Sequence, residues 1–156
     1  MKIERILFPV DFSEGSMNAL EYATSISKEY NARLYLLHVV HDISMTTGWQ
    51  IPHIRLDELY RDMEEYARKE MEKFCRDLFR ECDKIEQIVV RGMPHEEILK
   101  IAKEKKIDLI VIGTHGRTGI DRMLFGSTAE KVVRKAPCPV LSVRIPEHRL
   151  ESPKKG

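Results

Sequence analysis

Apolar residues recur along this chain in two alternating rhythms, one for strands and one for helices. Residues 3–10, IERILFPV, and residues 33–40, RLYLLHVV, are short apolar runs rich in β-formers. Between them Met17, Ala19, Leu20, Ala23 and Ile26 recur at helical spacing. That helix is predicted to begin near Glu14, where Ser13 or Asp11 can cap it, and to end at Asn31. Strand, helix and strand make one βαβ unit. Residues 41–55 keep no period and contain Gly48 and Pro52, which predicts a long loop. Then Leu56, Leu59, Tyr60, Met63, Tyr66, Ala67, Met71, Phe74, Cys75, Leu78 and Cys82 repeat at i, i+3, i+4 and i+7. This is the clearest helix in the sequence. Its apolar stripe is expected to face a core, and its charged face to be solvated and laced with i,i+4 pairs.

The second half repeats the pattern. A strand is predicted over 85–90, a turn at RGMP, and a helix from His95 to about Lys105 that carries Ile98, Leu99 and Ala102. Residues 108–113, DLIVIG, are continuously apolar and short, as expected of a strand buried on both faces of a parallel sheet. After a glycine-rich run come a helix over 127–136 and a fifth strand in 139–145. Parallel neighbours need crossover helices, so this alternation predicts an α/β fold: an open five-stranded parallel sheet with helices on both faces. Ligands in such sheets bind beyond the carboxyl ends of the strands. Here those ends are Val10–Asp11, Val39–His41, Val90–Gly92 and Gly113. By size, residues 1–146 are one domain, and 147–156 read as a flexible polar tail.

Composition narrows the classes of partner. Hydrophobic residues make up 42% and charged residues 33%, as in globular chains that fold in water. The net charge of +1 gives no long-range field for nucleic acid or an anionic membrane, so neither is expected as a partner. The apolar runs are strand-length and MKIERILFPV is not a signal peptide, which points to the cytoplasm. Cys75 and Cys82 stand about 10 Å apart along one helix, too far to bridge, and read as core residues. Cys138, between prolines, reads as structural. His38 is expected to be a strand residue with a satisfied ring nitrogen, and His41 and His53 offer no HxxxH pair, so no metal site of protein ligands is expected.

The candidate chemistry lies in residues 113–128, GTHGRTGIDRMLFGST. A P-loop needs a lysine after its second glycine, and this run has none. The dinucleotide fingerprint needs GxGxxG after a first strand, whereas the spacing here is GxxGxxG after the fourth. A third arrangement remains, in which two glycine clusters serve one phosphate chain. Gly113, Gly116 and Gly119 leave backbone N–H groups open to an anion, with Thr114, His115, Arg117 and Thr118 between and beside them. His115 and Arg117 either reach phosphate oxygens or face solvent. Gly126, Ser127 and Thr128 then start the last helix, whose positive end and two hydroxyls favour phosphate.

As a pattern this is G-x2-G-x9-G-[ST], and it is met at Gly113, Gly116, Gly126 and Ser127. Together with ILFPVDFSEGSMNALEYA, LYLLHVV, RGMPHEEIL and DLIVIGTHGRTGIDRMLFGSTAEKVVRKAPCPVLSV, it resembles the universal stress protein family in its ATP-binding class. The resemblance implies a Rossmann-like fold of the adenine nucleotide alpha-hydrolase kind and a bound ATP or AMP. It places Pro9, Val10 and Asp11 at the pocket wall, Asp11 toward the ribose and phosphates, and Val39 at the adenine. Gly113 to Gly119 and Gly126 to Thr128 match the phosphate and ribose loops. A bound triphosphate would bring Mg²⁺ with it. The resemblance also implies a homodimer through the last strand, about 140–145, an apolar edge that would otherwise invite aggregation. Phosphoryl transfer needs a positioned base and metal-holding carboxylates, and only Asp11 and Asp121 lie near. Steady catalysis is therefore not expected. The expected function is a cytoplasmic, dimeric nucleotide-binding sensor or regulator in stress response, with an unknown protein partner. A slow ATPase and an interaction module without nucleotide are the alternatives.

Overall fold

The computed structural model describes residues 2–42, 44, 56–78, 84–114 and 126–144. Nine elements follow one another among them: β1 (Arg5–Pro9), α1 (Glu14–Tyr30), β2 (Arg33–His41), α2 (Leu56–Leu78), β3 (Ile85–Gly92), α3 (Pro94–Glu104), β4 (Leu109–Gly113), α4 (Ser127–Lys135) and β5 (Val140–Val143). All strands are parallel and lie in the order β3-β2-β1-β4-β5. The chain builds outward from β1 to β3 on one side, then returns past β1 to build β4 and β5 on the other. The expected open five-stranded parallel sheet is thus observed, with its switch point between β1 and β4.

Successive side chains of a strand point to opposite faces, and here each face has its own helices. Ile6, Phe8, Leu34, Leu36 and Val111 pack against Ala19, Leu20 and Ala23 of α1 and Met71, Cys75 and Leu78 of α2. Leu7, Tyr35, Leu37, Ile110 and Ile112 pack against Ile98, Ile101 and Ala102 of α3 and Ala129 and Val132 of α4. The central strands are therefore continuously apolar because neither face meets water. Each fully buried side chain of this size contributes roughly 1.5–3 kcal/mol.

Local chemistry sets the ends. The Ser13 hydroxyl accepts the Ser16 N–H at 3.3 Å and caps α1, and Asn31, in the left-handed region at φ 51°, closes it. Asp11 shapes the preceding turn instead: its Oδ1 accepts the Ser13 N–H at 2.9 Å. β3 runs past the predicted 85–90, because Arg91 and Gly92 continue the ladder opposite Val40 and His41. The predicted turn is thereby reduced to Met93, and Pro94 starts α3 at a position where its missing N–H costs nothing.

Four residues assigned to core stripes prove exposed. Met17 (45%), Leu59 (42%), Met63 (38%) and Tyr66 (64%) face outward, while Tyr60, Ala67, Met71, Cys75 and Leu78 carry the buried line of α2. α2 lies over β2 and β3, the edge of the sheet among the described residues, so apolar positions on its outer flank have none of the described strands beneath them. Cys82, most of the 41–55 loop and the 147–156 tail lie outside the described residues. His41 belongs to β2, not to the loop.

Candidate functional site

A cavity of about 400 Å³ lies at the carboxyl ends of the strands, at the β1/β4 switch point. The volume is within the range of small-molecule pockets, ~300–1,000 Å³. β1 and the residues after it supply Pro9, Val10 and Asp11, β2 supplies Val39 and His41, and the end of β4 supplies Gly113 and Thr114. The opposite wall comes from Gly126, Ser127 and Thr128 at the start of α4. Every predicted site residue that falls among the described ones lines this single cavity. His115, Gly116, Arg117, Thr118 and Gly119 lie outside the described residues.

The sharp turn after β1 positions the first wall. The Val10 N–H donates to the Leu37 carbonyl at 2.8 Å, and the Val10 carbonyl stands 2.7 Å from His38 Nδ1. A carbonyl only accepts, so that nitrogen carries the proton, and the expected satisfied ring nitrogen of His38 is found. Phe12 then takes the left-handed conformation, φ 61°, uncommon for a bulky side chain. Its ring rests 4.7 Å from that of His38 and edge-on to Phe74 at 5.9 Å, which holds the turn in place. Asp11 is left at the cavity wall, its backbone N–H 3.4 Å from the Ser16 hydroxyl.

The two ends of the glycine-rich run meet. The Gly126 N–H donates to the Thr114 carbonyl at 2.7 Å, and the Thr114 N–H donates to Val143 of β5 at 3.0 Å. Gly113 has a packing reason of its own. A Cβ there would stand 2.7 Å from the Gly15 carbonyl oxygen, so β4 and the first turn of α1 approach more closely than any side chain permits. At α4, Gly126 provides no side-chain cap. The first N–H groups of a helix have no acceptor within it, so the positive end of α4 faces the cavity with donors to offer.

Sequence reasoning missed the α3 side of the cavity. Met93, Pro94, His95 and Ile98 line it, with Lys131 from the second turn of α4 and Ser16 of α1. The signal available was PHEE, which follows a strand end directly. Burial pushes the His95 imidazole below its ordinary pKa, and Lys131 pushes it further down; Glu96, 3.9 Å away, works in the opposite direction and Lys135 in the same one. Among the described residues no group of three or more His, Cys, Asp or Glu side chains could hold a metal ion.

A second polar cluster sits beyond the cavity, where β2 ends. Asp42 accepts from the Tyr60 hydroxyl at 2.9 Å and from the Ser44 N–H at 3.0 Å, with Arg91 Nε at 3.6 Å. The Arg91 guanidinium also lies over the Tyr60 ring at 4.7 Å. The Ser44 hydroxyl, then Tyr60, then Arg91 hold the Asp42 carboxyl below its usual pKa. This cluster ties α2 to the ends of β2 and β3.

A parallel sheet wound outward from β1 on both sides, with a cavity at the switch point and a helix N-terminus in its wall, defines a doubly wound α/β protein. Residues 2–144 match the universal stress protein family, and the chain belongs to that family. It is 37% identical over 150 residues to universal stress protein MJ0531 of Methanocaldococcus jannaschii, covering 92% of this chain and 84% of that one. It is also 32% identical over 153 residues to universal stress protein MJ0577 of the same organism, covering 90% of this chain and 94% of that one. The solved structure of MJ0577 matches this fold with a TM-score of 0.80, over 94% of this chain and 99% of that one. Universal stress protein UspA from Lactobacillus plantarum matches with a TM-score of 0.81 at 30% identity, over 92% and 99% of the two chains.

Proposed function

We propose that this chain is an adenine-nucleotide binding universal stress protein of the class carrying G-x2-G-x9-G-[ST], and that it works as a regulator. One observation carries the reading: Asp11, Val39, Gly113, Thr114 and the uncapped start of α4 line one cavity of nucleotide size at the strand ends. The adenine is assigned to Val39, the ribose to Asp11, and the phosphates to Gly113–Gly119 and Gly126–Thr128. The Thr114–Gly126 hydrogen bond supports the pairing of the two glycine clusters around one phosphate chain. More distant structures of the same fold include a universal stress protein in complex with cAMP, at 23% identity, and an Arabidopsis thaliana family protein with AMP bound, at 20%. At that distance they share the fold, and their ligands are consistent with the cavity's chemistry.

The regulator acts in the cytoplasm as a homodimer through β5, which among the described residues pairs on one side only, with β4. Mg²⁺ accompanies the ligand when that ligand is a triphosphate. Slow hydrolysis is the secondary reading, with Asp11 the only carboxylate among the described residues that line the cavity. Calorimetric titration with ATP, ADP and AMP at up to millimolar concentration tests the central reading, and heat with none of them defeats it. Phosphate release above the buffer rate, lost in Asp11→Ala, would favour the enzyme. A single species of 18.2 kDa across a wide concentration range would defeat the dimer.

A further inference from the structure

The residues assigned to nucleotide come from the strand ends and the start of α4, and the α3 side of the cavity has chemistry of its own. His95 sits in the first turn of α3 with its side chain only 14% exposed, and Lys131 sits one turn into α4, on the solvent side. Both line the cavity. Helical side chains lean toward the N-terminus of their helix, so Lys131 leans toward the same end of α4 that Ser127 and Thr128 occupy. An imidazole and an ammonium thus share a wall with an uncapped helix start. We propose that His95 and Lys131 form a proton-linked anion contact, so that a nucleotide's phosphate chain binds together with a proton taken up by His95. The proposal rests on the nucleotide reading above.

The charged surroundings of His95 favour this coupling. From α4, Lys131 and Lys135 oppose its protonation; from its own helix only Glu96 favours it, while Glu97 faces Lys100 at 3.5 Å. From β2 the titratable group that lines the cavity is His41, and from β3 Arg91 is engaged by Asp42. In the ligand-free protein burial, then Lys131 and Lys135, therefore disfavour the charged form of the imidazole. A phosphate chain entering beside Lys131 reverses the local sign, since an anion close to an imidazole favours its charged form. Protonated, His95 donates to a phosphate oxygen. Linkage fixes the direction: each unit by which the ligand raises the His95 pKa gives about a tenfold gain in affinity at pH below both values, and none above them.

The test is calorimetry of ATP binding to the whole chain at about pH 6 and about pH 8, in two buffers of different ionisation enthalpy, for wild type, His95→Gln and Lys131→Met. ATP itself titrates in this range, so the comparison with His95→Gln removes the ligand's own contribution. The expected result is that wild type gains more affinity than His95→Gln on going to the lower pH and takes up an additional fraction of a proton. Lys131→Met weakens ATP more than AMP, and in the free protein it raises the His95 pKa followed by imidazole NMR, a change that Lys131→Arg does not produce. Identical proton uptake and pH dependence in wild type and His95→Gln overturn the inference while leaving nucleotide binding standing. ATP binding in none of the three proteins overturns the nucleotide reading and this inference with it.

Discussion

Replacing Gly113 with alanine puts a methyl group 2.7 Å from the Gly15 carbonyl oxygen and 3.0 Å from its carbonyl carbon. Unstrained contacts of a Cβ begin at about 3.4 Å, so the overlap with the oxygen is about 0.7 Å. Neither neighbour is a flexible side chain that could swing away. β4 is held at this point by its register with Val143 of β5, and the first turn of α1 is held by the Ser13 cap. Overpacking of this kind costs about 1–3 kcal/mol, offset in part by the roughly 0.5–1 kcal/mol that alanine recovers from the unfolded chain. The expected net loss is about 1–2 kcal/mol. In urea, with a slope of about 2 kcal/mol per molar, the midpoint falls by about 0.5–1 M; in a thermal scan the loss is roughly 2–4 °C per kcal/mol. The measurement is made without nucleotide. If Gly113 served only the close approach of an anion, the ligand-free protein would unfold at the wild-type midpoint, and that result would refute the packing account.

Ser13→Ala removes the α1 cap and is expected to cost about 1 kcal/mol in urea unfolding, with Ser13→Asp close to wild type. Tyr60→Phe removes a donor from Asp42 and is expected to destabilise at neutral pH; because the folded carboxyl is held below its ordinary pKa, that contribution is present above the unfolded pKa and is lost as pH falls through the folded one. The difference between Tyr60→Phe and wild type should therefore shrink in acid. Cys75, fully buried with its thiol pushed up to about 11, is expected to stay unmodified by a thiolate-selective reagent at about pH 8 in the native protein and to react in denaturant, as mass spectrometry of the peptides can show.

How far the sequence carried depended on whether the governing contact was local. The limits of α1, Glu14–Tyr30, were readable because a serine cap, a helical apolar period and an asparagine stop all lie within the segment. The continuous apolar run of β4 announced a strand with two covered faces, and the strand ends named Asp11, Val39 and Gly113 before any geometry was available. What escaped depended on strand order. Periodicity gives a side chain's angle around α2 and says nothing of what lies beneath, so Leu59, Met63 and Tyr66 look like core until β3 proves to be an edge. Gly92 reads as a turn residue, yet pairing with β2 extends the strand through it. His95 and Lys131 share a wall only because α3 and α4 pack on the same face of the sheet, which no spacing in the sequence encodes. Gly113 was legible as a glycine that mattered, and its contact with Gly15 was not.

The central claim is that the strand-end cavity holds an adenine nucleotide, and its most direct test is an ATP titration of the ¹⁵N-labelled chain followed by amide NMR. Saturable shifts are predicted for the amides of Asp11, Val39, Gly113, Thr114, Ser127 and Thr128, which line the cavity. Asn31 and Lys84, which lie together elsewhere on the molecule, are predicted to stay unmoved. Unchanged spectra at millimolar ATP, or shifts that saturate away from the cavity, would contradict the account.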